Sequence, residues 1–124
     1  MQQYNPIRIA GISLSLLMAA IATWLMLQPA QSGTLPPVPH IDKLAHFVAF
    51  FLIALPAIVV HPTRWLWIVL AASALGGMIE IIQPWFGRGR EFADFMADVA
   101  GALMAVPLGR WLSERWQVQQ RDRT

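Results

Sequence analysis

The sequence predicts an all-α polytopic membrane protein: a bundle of four transmembrane helices with both termini cytoplasmic. Three observations carry this prediction. Hydrophobic residues make up 56% of the 124 positions and charged ones 13%, against about 25% charged in soluble domains. Mean hydropathy is +0.50. Four stretches reach or approach the roughly 20 apolar residues that a spanning helix needs. The length points to a single domain over residues 1–124. A soluble fold of that size could not hide so much apolar surface, so the lipid bilayer is the natural solvent and partner.

The first span covers residues 7–27 and begins at Arg8. A cleaved signal peptide competes with it, since Arg8, the apolar core and the small residues Ala30 and Ser32 fit that pattern loosely. The apolar core exceeds the usual 7–15 or so residues of such a leader, which favours a retained helix. "QPAQSGTLPPVPH" then makes a loop rich in Pro, Gly and Ser. The second span covers 41–60 and "HPTR" links it tightly to the third, 65–82. "QPWFGRGR" leads to the fourth, about 91–112, and the tail "SERWQVQQRDRT" is polar except for Trp116 and Val118. Pro56 and Pro107 fall inside spans, where lipid makes them kink a helix rather than end it.

Orientation follows from the basic residues. With a cytoplasmic N-terminus, that side holds Arg8, Arg64, Arg110, Arg115, Arg121 and Arg123, against Lys43, Arg88 and Arg90 on the other. Six to three places both termini in the cytoplasm. Trp24, Trp65, Trp67, Trp85, Trp111 and Trp116 lie near span ends, as an interfacial belt requires. A net charge of +2 with a pI near 9.9 is thereby a topology signal, and no nucleic-acid partner is expected. The chain has no cysteine, which excludes disulfides and thiolate metal sites.

The intramembrane acids gather at one face of the bilayer, the outer one, with other polar residues beside them. Asp42, Lys43 and His46 open span two; Glu80 and Gln83 close span three. Arg88 and Arg90 sit in the following loop, and Glu91, Asp94 and Asp98 open span four. Helical spacing aligns Asp42 with His46, Glu80 with Gln83, and Asp94 with Asp98. Ser73, Gly76 and Gly77 continue the second stripe, Gly101 and Ala105 the third, and such small residues let helices approach closely in lipid. Three seams are therefore expected to face one another beneath a shallow polar pocket. Span one, with Gly11, Ser13, Ser15 and Thr23, reads as the least involved.

His46 lies about 7 Å below the start of its span and Asp98 about 10 Å below Glu91. A carboxylate at a span centre costs roughly 2.5–3.5 kcal/mol, so even the less central Asp98 needs a partner. Asp42, Glu80, Glu91, Asp94 and Asp98 against Lys43, Arg88 and Arg90 leave the cluster at minus two with His46 neutral. That deficit calls for a protonated carboxyl, a protonated His46 or a bound cation. An arginine of "GRGR" is expected to reach Asp94. Asp98 is expected to hold a proton and donate towards Glu80 or His46, with cation binding as the alternative. Structural roles compete: Asp42 or Asp94 pairing with Arg88, Asp42 as an N-cap, Glu91 on a helix macrodipole. For Asp42 and Glu91 alone the structural roles are preferred; for His46, Glu80 and Asp98 together function is, because intramembrane ionisable groups mark sites. No phosphate-binding glycine loop, HExxH or serine nucleophile motif is present.

"DKLAH", then "EIIQ", then a loop arginine, then "DFMADVAG" resembles the VanZ-like family. The ordered set spans about residues 40–110. Asp98 stands where many members have Asn, and Arg88 and Arg90 both qualify as the loop arginine. The resemblance implies a small protein of about four helices in the bacterial cytoplasmic (inner) membrane. The family is named for a member linked to teicoplanin resistance, and the name carries neither mechanism nor substrate.

Three functions compete. The first is binding, without catalysis, of a cell-envelope component such as a lipid-linked precursor or an anionic lipid head group. Its ligand set would be Asp42, Lys43, His46, Glu80, Gln83, Arg88, Arg90, Asp94 and Asp98. The second is an intramembrane enzyme using His46, Glu80, Asp94 or Asp98 on a phosphate or glycan head group. Those four would also ligate a divalent cation, Mg²⁺ or Mn²⁺, oxygen ligands with one imidazole suiting such ions. The third, a small transporter or proton relay, ranks last because the inner halves of spans two to four lack acids.

Overall fold

The computed structural model describes residues 5–29 and 38–122, in which there is no strand. Four helices follow in order: α1 Pro6–Met26, α2 Ile41–Val60, α3 Trp65–Ile82 and α4 Phe92–Arg121. Single 3₁₀ turns, Pro62–Arg64 and Gln83–Phe86, join α2 to α3 and extend α3. All four are long and apolar enough to cross a membrane. Ala30, Ser32 and Arg123 lie outside the described residues.

Local signals set the helix ends. Asn5 caps α1, its side chain accepting from the Ile7 N–H at 3.1 Å, and Pro6 supplies a φ already suited to the first turn. The residue flanking α2 is His40, at φ 63°, so Asp42 is in the first turn rather than at the cap. It still favours the positive end of the helix dipole there. Gly87, at φ 75°, turns the chain after the second 3₁₀ segment. The fourth helix outruns the expected boundary at residue 112 and continues to Arg121. Its tail has no glycine or proline after Gly109, and Arg115 lies over the Trp111 ring at 5.2 Å, one turn back.

The middle of the bundle is α2 against α4. A Cβ added to Gly101 would collide with the Phe47 carbonyl, so the two backbones meet directly there. Gly109 does the same against the Ile58 side chain lower down. Phe50, Ile53, Ala54, Ile58, Ala102 and Ala105 fill the space between. The third helix packs on α4 through Gly76, whose added Cβ would lie 2.6 Å from Asp98 Oδ2. Outward positions stay apolar, with Leu16, Trp24, Trp67 and Leu70 all exposed, as lipid-facing surfaces require. Trp65, the first residue of α3, packs half-buried against the core.

The first helix is more engaged than its sequence predicts. Gly11 abuts Val60, Ser15 is buried, and Ala22 and Met26 join the core. The Ser15 hydroxyl oxygen accepts from the Ala57 N–H at 3.0 Å, next to Pro56. A proline disturbs the helical ladder around it, and a neighbouring hydroxyl satisfies backbone that lipid cannot.

Candidate functional site

One end of the bundle collects the C-termini of α1 and α3 and the N-termini of α2 and α4. Most of the polar residues singled out by spacing meet there. His46, Glu80, Gln83, Asp94 and Asp98 are all buried, Asp98 completely. The close approach at Gly101 is the cause: it lies one turn below Asp98, and its neighbour across the interface is the residue after His46. His46 Nδ1 is 2.7 Å from Asp98 Oδ1, and His46 Nε2 is 3.8 Å from Asp94 Oδ2. One imidazole is thus set between two carboxylates of the same helix face.

Glu80 enters from α3. Its Oε2 accepts from the Glu91 N–H at 3.1 Å, which ties the end of α3 to the start of α4. His46, Glu80 and Asp98 each offer a ligand atom within 4.8 Å of the others. Four buried side-chain oxygens make no hydrogen bond among the described residues: Glu80 Oε1, Gln83 Oε1, Asp94 Oδ1 and Asp98 Oδ2. Leaving such an oxygen dry costs about 1–3 kcal/mol, more when it is charged.

The basic residues take different places from those expected. Asp94 meets Lys43, at 3.6 Å, rather than an arginine of the "GRGR" loop. Lys43 also binds Glu91 Oε2 at 2.7 Å, and that contact holds the Glu91 carboxyl below its usual pKa. Lys43 leads α2 one turn before His46 and so already faces the start of α4. Arg90 instead donates to the Glu80 and Ile81 carbonyls at 3.3 and 3.4 Å, closing the exposed end of α3. Arg88 donates to the Gln28 carbonyl at 3.5 Å, and Gln83 Nε2 to the Met26 carbonyl at 3.2 Å. Arg88 and Gln83 therefore hold the end of α1 and do not enter the carboxylate cluster. Asp42 is exposed, and its side chain makes no hydrogen bond or ion pair among the described residues.

A groove of about 380 Å³ runs down from this end between α1 and α2. Met18, Ile21, Leu25, Val48 and Leu52 give it apolar walls, and Asp42, His46 and Arg88 stand at its polar end. Sequence reasoning missed the α1 wall. Its signal was the run Gly11, Ser15, Met18, Ala22, Met26, spaced by four, three, four and four residues along one helix face.

The VanZ/LLP1 family model matches residues 3–113. No curated protein and no solved structure matches the chain. The match takes in α1 as well as the motifs on the other three helices, and with it His46, Glu80, Asp98 and both loop arginines. With four helices able to cross a bilayer and this match over most of its length, the chain is a multi-pass membrane protein that belongs to the VanZ/LLP1 family.

Proposed function

We propose that this protein binds a phosphate-headed lipid of the outer leaflet of a bacterial cytoplasmic membrane. The lipid chain lies in the groove between α1 and α2, and its head group meets Arg88, with His46 lining the groove beneath it. The observation that carries the reading is the groove itself: apolar along its length, polar at one end, and of a size to hold part of an acyl or prenyl chain. Arg88 uses one N–H on the Gln28 carbonyl and has others for phosphate, which a guanidinium grips in bidentate fashion. Transport ranks lower, since the buried residues between this end and Ser113 are apolar apart from Ser15. The His46–Asp98 pair supports a second reading, in which the head group is also a substrate. An imidazole aligned by a buried carboxylate is a common acid–base device.

The binding reading is tested by native mass spectrometry of the full chain titrated with phosphatidic acid, phosphatidylcholine or inorganic phosphate. Phosphatidic acid is expected to be retained over the other two. Arg88→Gln is expected to weaken it about tenfold, the loss of one charge-assisted contact. Leu52→Trp, which fills the groove, is expected to do likewise. Equal retention of phosphatidic acid and phosphatidylcholine rules the reading out.

The outer placement rests on the six-to-three division of basic residues. A reporter enzyme active only in the periplasm is expected to be silent when fused to the C-terminus. High activity in that fusion reverses the orientation.

A further inference from the structure

We propose that His46, Glu80 and Asp98 form a divalent-cation site, best suited to Mn²⁺, at the polar end of the bundle. The site stands whether or not the neighbouring groove holds a lipid.

Geometry is the first argument. Three residues from three different helices bring one ligand atom each to within 4.8 Å of one another. His46, Glu80 and Asp98 are 2%, 4% and 0% exposed. Their convergence depends on two glycines: Gly101 allows α2 onto α4, and Gly76 leaves the space that Asp98 Oδ2 occupies.

The second argument is independent of proximity. Glu80 Oε1 and Asp98 Oδ2 are buried and without hydrogen-bond partners, while the other oxygen of each carboxylate is engaged. Glu80 Oε2 is held by the Glu91 N–H, and Asp98 Oδ1 by His46. Each carboxylate is therefore anchored by one oxygen and offers the other. A cation is the partner that satisfies both at once.

Charge points the same way. Glu80, Asp94 and Asp98 are three buried carboxylates, and among the described residues Lys43 is the one Lys or Arg that forms an ion pair with any of them. A doubly charged ion supplies what is missing. The surroundings also fit a metal-bound imidazole. When Nδ1 takes the ion it gives up its hydrogen bond to Asp98 Oδ1, the ion replaces it as that oxygen's partner, and Nε2, 3.8 Å from Asp94 Oδ2, has the carboxylate neighbour that ligating histidines commonly have.

Ligand type selects among ions. Mn²⁺ takes carboxylate oxygens as readily as Mg²⁺ and Ca²⁺ do, and as a transition ion it also accepts an imidazole. Ca²⁺ takes six to eight oxygens, and Mg²⁺ keeps several waters, so a buried site with a nitrogen ligand serves both poorly.

The test uses the full chain, stripped with chelator and titrated with MnCl₂ in detergent. The solution EPR signal of free Mn²⁺ disappears as the ion binds. The expected result is saturation at about one Mn²⁺ per chain. Glu80→Gln and Asp98→Asn keep side-chain shape and are expected to abolish it, with helix content by circular dichroism unchanged. Glu114→Gln, at the other end of the bundle, is expected to bind as the parent does. Pulsed EPR of the bound ion is expected to show a nitrogen coupling that His46→Gln removes. Absence of saturable binding to the parent overturns the proposal, as does undiminished binding to folded Glu80→Gln. If Asp98→Asn fails to fold, Glu80→Gln decides alone.

Discussion

Gly101→Ala is expected to be the most damaging single-methyl change in the protein. An added Cβ meets the carbonyl oxygen, carbonyl carbon and Cα of Phe47, all backbone atoms that no rotamer change can move. The helices must separate. Overpacking of a filled interface costs typically 1–3 kcal/mol and sometimes more. Alanine returns about 1 kcal/mol through its better helix propensity. The backbone clash puts this site at the upper end, so a net loss of roughly 2 kcal/mol or more is expected. Gly77→Ala is the matched control, because its Cβ would sit 3.6 Å from the Phe95 ring, an ordinary contact. That variant is expected to be neutral or stabilised by up to about 1 kcal/mol. Reversible unfolding in bicelles measures both. A Gly101→Ala protein as stable as its parent would mean that α2 and α4 do not touch at this level. The same variant links packing to the site: pushing the helices apart opens the 2.7 Å contact between His46 and Asp98.

The second large effect is expected from Asp98→Ala, measured with chelator present so that no bound metal contributes. Asp98 is fully buried and, among the described residues, is the one hydrogen-bond partner of the His46 ring. Truncating it strands an imidazole in the bundle and leaves a cavity beside Gly76. Removing one member of a buried pair costs about 3–5 kcal/mol, much of it the price of the abandoned partner. Asp98→Asn keeps a polar partner for Nδ1 and is expected to lose far less. The double variant His46→Phe, Asp98→Ala removes both partners and is expected to be more stable than the sum of the two single losses predicts. A coupling of about 1 kcal/mol or more is the expected reading. Additive losses would show that the two side chains do not depend on each other.

These two positions also mark how far the sequence can be read. The existence of the four helices follows from long apolar runs, which no other backbone state can carry through lipid. Grouping His46, Glu80 and Asp98 at one end follows too, because alternate helices must run in opposite directions and their ends are set by hydropathy. Helical spacing further puts Asp94 and Asp98 on one face. The end of α4 was harder to locate. Hydropathy stops near residue 112, but the helix is carried on by its own backbone and by side-chain pairs such as Trp111 with Arg115.

Rotation of each helix about its axis is a different matter. Every face of a membrane helix can be apolar, so the buried face is selected by fit rather than by avoidance of water. That is why the sequence presents α1 as the least involved span although Gly11 and Ser15 pack on the Pro56 region of α2. It is also why Lys43, and not a loop arginine, reaches Asp94. A loop residue's position depends on where the turn sends it. Gly87 and the 3₁₀ turn send Arg90 back over the α3 carbonyls and Arg88 across to α1.

The sequence by itself determined that this is a membrane protein of four spans, that His46, Glu80, Asp94 and Asp98 lie at one end, and which residue types are available for chemistry there. Composition and period are enough for that, since the bilayer sorts apolar from polar along the chain. Only the tertiary structure decided that His46 meets Asp98, that Glu80 and Asp98 each keep one buried oxygen unbonded, and that an apolar groove leads to them between α1 and α2. Those facts depend on helix rotations and on backbone contacts at Gly76 and Gly101. Shape matching between whole helices sets both, and no local stretch of sequence encodes it.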